Sequence, residues 1–262
     1  MQEKPKKVFI VGCAPSRNMV PWNEVKEGKA EAWGVNNLCH SMPLAQFPFT
    51  RWFEIHHIDK LEDGTFRRRF DPVFRNQKVN DYLMGGEFQG QTVPGLADLN
   101  IPVYMQKLWP EVPNSIVYPV EQMVAQFGDY FTNSISFQLA LAISEGFEEI
   151  HVYGVDMAVS SKMFLHDEYA QQRPSCEYFL GIAQGRGIKI FIPDTSDLLK
   201  TRFMYGYEEP ETHKWQKKTQ EMLVNIAQQK AKAEHSLNEN QRKRDQAIGA
   251  DLAIREMDKI WQ

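Results

Sequence analysis

Residues 134–157 read SISFQLALAISEGFEEIHVYGVDM. From Ser134 to Glu145, Phe137, Leu141 and Ser144 fall on one side, with Leu139, Ala142 and Ile143 beside them. The segment is apolar nearly all round and reads as a buried helix. Gly146 suits the position just past its last turn, where a left-handed backbone is common. The run Ile150–Val155 that follows is short and mostly apolar, as strands buried on both faces tend to be. Upstream, Ile116–Val120 reads as another strand. Downstream, Pro174–Gln184 reads as a helix with Pro174 near its first turn and Gly185 or Gly187 at its end, followed by a strand over Ile188–Ile192. Strand and helix alternating from about 116 to 192 imply right-handed crossovers and a parallel sheet.

Four more strand-like runs lie toward the N-terminus: Val8–Val11, Ala32–Asn36, Trp52–His56 and Val103–Met105. The expected fold class is therefore α/β, a Rossmann-like, mostly parallel sheet flanked by helices, with a C-terminal helical extension. Residues 1–207 form the expected nucleotide-binding catalytic domain. Within it, 57–101 carries Arg67, Arg68, Arg69 and several glycines and reads as an excursion from the sheet, a lid or a surface insertion. From 208 to 262 the composition turns to Gln, Lys, Glu and Ala, and no proline follows residue 211. Trp215, Met222, Leu223 and Ile226 make one apolar stripe, and Ile248, Leu252, Met257, Ile260 and Trp261 a second. Between them, Ser236-Leu-Asn-Glu239 has the form of a capping box, so two helices are expected, as a hairpin packed on its own domain or as an arm for homo-oligomer formation.

With 262 residues, 42% of them hydrophobic and 12% aromatic, the chain is long and apolar enough for a substantial core. A net charge of −4 and a pI near 6.0 argue against a generic charge-driven nucleic-acid binder, though not against a local basic patch. Cys13, Cys39 and Cys176 are far apart and form no zinc pattern, so reduced thiols and a cytoplasmic protein are expected. Val8–Val11 is too short for a signal-peptide core, and no stretch nears the roughly 20 apolar residues of a membrane span.

Polar residues gather where the strands end. Gly12-Cys13-Ala-Pro15-Ser16 follows the first strand without the spacing of a dinucleotide fingerprint or a P-loop. Its glycine allows close backbone approach, and Ser16 can cap a helix or donate to a phosphate. Asn36 and Asn37 end the second strand, with amides able to read a base or ribose. His56 ends the third. Asn133 and Ser134 stand at a helix start, where the dipole favours anions. Asp156 ends a later strand, placed for a ribose hydroxyl, a metal or an acceptor sugar, or for capping the next turn. His166, Glu168 and Arg173 crowd the segment before the second helix, read as an acid/base loop.

This order of motifs resembles the bacterial sialyltransferases that modify lipooligosaccharide. It also resembles the wider Rossmann-like set that includes archaeal-type hydroxymethylpterin pyrophosphokinases. Their Gly-Asn-Gly-Pro-Ser turn is similar to Gly12–Ser16, their Asn-Gln strand end to Asn36-Asn37, their Thr-Ser-Gly to Asn133-Ser134-Ile135. Their Gly-Ile-Asp is similar to Gly154-Val-Asp156, and their closing Pro-x-Ser-x-Leu to the stretch from Pro193. Tyr153–Met157 and Gln172–Tyr178 also resemble bacteriophage members of this set. The resemblance spans about residues 7–200. It implies a nucleotide-sugar co-substrate held by Gly12, Pro15, Ser16, Asn36 and Ser134, with Cys13 where the family has Asn. It also implies metal independence and places the family's general base near Glu168 and His166.

The expected function is a glycosyltransferase moving a sugar from a nucleotide-sugar donor to a hydroxyl. Donor-binding candidates are Gly12, Cys13, Pro15, Ser16, Asn36, Asn37, His56, Asn133, Ser134 and Arg173, and catalytic candidates are Glu168, His166 and Asp156. The acceptor is a surface glycan or a hydroxymethylated base of phage DNA, met by Arg67, Arg68 and Arg69. The alternatives are pyrophosphoryl transfer to a small alcohol and a non-catalytic assembly or interaction protein.

Overall fold

The seven strand-like runs all pair into one sheet. The computed structural model describes residues 5–68, 83–88, 91–157, 166–201, 204–207 and 212–261. The strands are β1 (Lys7–Val11), β2 (Glu31–Val35), β3 (Arg51–Glu54), β4 (Ile58–Lys60), β5 (Phe66–Arg68), β6 (Gly86–Phe88), β7 (Gln91–Val93), β8 (Val103–Met105), β9 (Ser115–Val117), β10 (Glu149–Tyr153) and β11 (Lys189–Phe191). The main sheet runs β11-β10-β1-β2-β3-β8-β9, and every neighbouring pair in it is parallel. Two small antiparallel hairpins, β4-β5 and β6-β7, stand apart from it. The helices of this unit are α1 (Trp22–Lys26), α2 (Val120–Phe127), α3 (Ser134–Ser144) and α4 (His166–Gly185). The chain divides into two compact units, Met1–Leu199 and Lys200–Gln262. Among the described residues no helix is long and apolar enough to cross a membrane.

Side chains alternate across the sheet, and both faces are covered. Val8, Ile10, Trp33, Val35 and Phe53 join one core with Met123, Leu139, Ala142, Phe179 and Leu180 from α2, α3 and α4. Phe9, Val11, Ala32 and Trp52 join a second core on the opposite face. A strand buried on both faces is apolar at every position, which is why these runs lack a period of two. Ile58, Phe66, Leu83, Leu96 and Leu99 also belong to the second core. The described apolar residues of 57–101 thus pack on this face of the sheet.

Two helical expectations are corrected. Pro174 was expected in a first turn, but α4 begins at His166 and Pro174 lies inside it. An interior proline costs about 3 kcal/mol through its missing N–H and its clash with the turn before it. Beside it the Gln172 carbonyl accepts from Asn133 Nδ2 (2.9 Å) and Ser175 Oγ (3.1 Å). In the second unit, α5 is a single 50-residue helix, Thr212–Trp261, not two joined at Ser236. A capping sequence ends a helix only where the chain can turn, and neither proline nor glycine stands between Thr212 and Ala247.

The N-terminal edge of the sheet is closed by charge. Arg51 Nε lies 2.8 Å from Glu31 Oε2 and its Nη1 2.7 Å from Glu145 Oε1, at the end of α3. Its guanidinium carbon sits 4.7 Å from the Trp33 ring centroid, and Trp33 Nε1 donates to Glu31 Oε2 (2.8 Å). Burial works against the Arg51 charge, but Glu145 and Glu31 outweigh it and hold the guanidinium above its ordinary range. Replacing Arg51 by Met leaves two carboxylates in a largely buried site. Urea denaturation should show a loss of about 3 kcal/mol, with partial recovery when Glu31→Gln is added.

Candidate functional site

The sheet order reverses between β1 and β10. From β1 the chain proceeds outward through β2, β3, β8 and β9, then returns to β10 and β11 on the other side. In open α/β sheets, ligands bind outside the carboxyl ends of the strands at such a reversal. Here the two turns that leave β1 and β10 are bonded to each other. The Gly12 N–H donates to Tyr153 O (2.8 Å), Ala14 N–H to Gly154 O (2.9 Å), and Gly154 N–H to Ser16 Oγ (2.7 Å). A Cβ on Gly12 would stand 2.4 Å from Gly154 O, and one on Gly154, whose φ is +68°, 2.3 Å from Gly12 O. The close approach that Gly12 permits is therefore made by the chain's own backbone.

Ser16 is buried, and its hydroxyl is engaged twice: it accepts from Gly154 and donates to Asp156 Oδ1 (2.6 Å). Asp156 is half-buried, and its carbonyl accepts from Asp197 N–H (2.8 Å). Ser196 Oγ donates to Val155 O (2.8 Å), so the closing Pro193–Leu198 stretch fastens the turn that carries Asp156. Pro15 opens a short 3-10 helix, Pro15–Met19, and Cys13 is exposed at the mouth of the turn.

One strand over, β2 ends at Val35. Asn36 turns the chain with φ +49°, a conformation asparagine tolerates better than most residues. Its Oδ1 faces Ser134 Oγ at 3.4 Å, across the start of α3. Its carbonyl accepts from the buried Trp52 Nε1 (2.9 Å), whose ring fills the space where Gly34 lacks a side chain. Asn37 is exposed. Asn133 caps α3 by accepting from Ser136 N–H (3.0 Å) and ties it to α4 through Gln172 and Ser175.

At the next strand end stands a pair the sequence reading half found. His56 Nδ1 lies 2.5 Å from Glu54 Oε1; the Glu54 side chain is fully buried and that of His56 is 30% exposed. His56 was singled out, Glu54 was not. Strand alternation does not pair them, because β3 ends at Glu54 and His56 lies two residues beyond it. A buried carboxylate that fixes the ring and leaves the other nitrogen outward is the usual support of a catalytic imidazole.

The remaining candidates are dispersed. Arg173 is ion-paired with Glu177 (2.7 Å) within α4. His166 and Glu168 lie in the first turn of α4 rather than in a loop, at positions about 200° apart around the helix; their side chains lie outside the described residues. Arg67 and Arg68 are on β5, paired through the backbone with Asp59 and Ile58, and their side chains also lie outside the described residues, as does all of Arg69. Among the described residues, no group of three or more His, Cys, Asp or Glu is placed to hold a metal ion.

Two measurements test this arrangement. Gly154→Ala meets both a left-handed backbone and the Gly12 carbonyl, so chemical denaturation should show a loss of about 3 kcal/mol. The Cys176 thiol is pushed up to about 12 by burial, against a hydrogen bond to Asn133, and Cys39 is buried. An alkylating reagent at pH 8 should therefore label the native protein once, at Cys13, and the unfolded chain three times by mass spectrometry. Compared with models of known protein families, with curated proteins and with solved structures, the chain matches none.

Proposed function

We propose that the first unit binds a nucleotide sugar along the carboxyl ends of β10, β1, β2 and β3 and transfers the sugar to a hydroxyl acceptor. The observation that carries this reading is the buried Glu54 carboxylate against His56, at the end of β3, two strands from the point where the sheet order reverses. Support also comes from Asn36 and Ser134, which stand together at the start of α3, where a helix N-terminus favours a phosphate.

In this mechanism Glu54 accepts the Nδ1 proton of His56 in a hydrogen bond and keeps Nε2 as the acceptor. Nε2 takes the proton of the attacking hydroxyl, whose oxygen bonds to the anomeric carbon as the bond from that carbon to the nucleotide phosphate oxygen breaks. The proton rests on His56, where Glu54 offsets the new charge. The departing phosphate is met by the start of α3 and Asn36. Asp156, with one oxygen bonded to Ser16, has its other oxygen for a sugar or ribose hydroxyl. His56 thus takes the role that the family resemblance assigned near Glu168 and His166.

The test is a panel of nucleotide sugars, read first by thermal shift and then by nucleotide release with glycan and hydroxymethylated-DNA acceptors. One donor class should raise the melting temperature and slow alkylation of Cys13. His56→Gln should lower turnover about 100-fold or more while leaving the donor-induced shift in place. A panel in which no nucleotide sugar binds or reacts overturns the reading.

A further inference from the structure

The 50-residue α5 is about 75 Å long. Among its described side chains the large apolar ones are exposed, Met222, Ile226, Leu237, Ile248 and Leu252 included. A helix of this length draws most of its stability from a packed face, so these side chains call for a partner.

Their spacing says what kind. Trp215, Ile226, Leu237 and Ile248 recur every 11 residues. Eleven residues are three helical turns to within about 20°, so the four positions form one line down the helix. An 11-residue repeat suits long pairing with a nearly straight or right-handed seam. Three of the four positions are symmetric about Leu237, and Trp215 falls level with Lys259. With Leu237 opposite Leu237 of an antiparallel copy, Ile226 comes level with Ile248, and Met222 with Leu252.

Charge selects the same orientation. Residues 212–232 hold five lysines and one glutamate, whereas 245–261 hold four carboxylates and two cations. Cations at a helix N-terminus and carboxylates at its C-terminus both oppose the helix dipole. An antiparallel copy reverses this: its acidic end lies beside the basic end, and the two dipoles oppose. The register brings Lys214, Lys217 and Lys218 level with the stretch holding Glu256 and Asp258. A parallel copy would set lysine beside lysine. Against the antiparallel register stand two like-charge pairs, Lys230 level with Arg244 and Lys232 level with Arg242; Glu234, 3.8 Å from Lys230, lies one turn from the first.

We propose that α5 pairs with α5 of a second copy of this chain, antiparallel and centred on Leu237. Light scattering of the full chain should give twice 30.4 kDa, and Leu237→Glu should return it to the chain mass with the first unit still folded. Disulfide trapping then reads the orientation, on a background with Cys13→Ser to remove the exposed thiol. Leu237→Cys should cross-link, Ile226→Cys and Ile248→Cys should each fail alone, and the two together should cross-link. A monomer at micromolar concentration, another stoichiometry, or cross-linking of Ile226→Cys alone overturns the proposal.

Discussion

The contact between Gly12 and Gly154 sets the geometry of the carboxyl edge. Two turns that elsewhere open to admit a ligand here touch backbone to backbone, with each glycine standing where the other would place a side chain. The β1–β10 pairing, in register from Lys7 opposite Glu149 to Val11 opposite Tyr153, is thereby carried past the strand ends. Ser16 then sits where it can accept from Gly154 and donate to Asp156. Asn36, Ser134 and His56 stand on the β2 and β3 side.

The two ends of the sheet use polar chemistry differently. At the amino end, Arg51, Glu31 and Glu145 neutralise one another in a largely buried cluster, and breaking such a cluster costs far more than forming it returns. At the carboxyl end the polar groups are amides, hydroxyls, the Asp156 carboxylate and one imidazole–carboxylate pair, most of them half-exposed. One end is rigid and self-satisfied, while the other leaves hydrogen-bonding capacity facing outward. That division is the one expected of a parallel sheet whose loops at one end do the work.

All seven strands of the sheet are legible in the sequence, because burial on both faces writes itself as short apolar runs between polar turns. Their ends are less so. The second strand stops at Val35 and the third at Glu54, since Asn36 takes a left-handed turn and Glu54 turns back to His56, features of local conformation that no periodicity carries. The start of α4 was hidden by Pro174, a residue that favours a first turn but here lies inside the helix. No local pattern marks the need for Gly154, because that need arises from Gly12, 142 positions earlier in the chain. Glu54 was overlooked for the opposite reason: its importance is local, two residues from a histidine already marked, but only its complete burial gives the pair meaning. The continuity of α5 through Ser236 follows from what is missing between Thr212 and Ala247, any residue able to stop it.

Trp52 links the core to the mouth of the crevice. Its ring is fully buried in the slot left by Gly34, and its indole N–H is bonded to the carbonyl of Asn36, the residue that faces Ser134. An indole in that position is an optical instrument set into the wall of the site. Its emission belongs to a dry, apolar environment, while its one polar bond ends on the residue a ligand would touch. A movement of Asn36 would thereby reach this indole, one of the six tryptophans of the chain, through a single hydrogen bond.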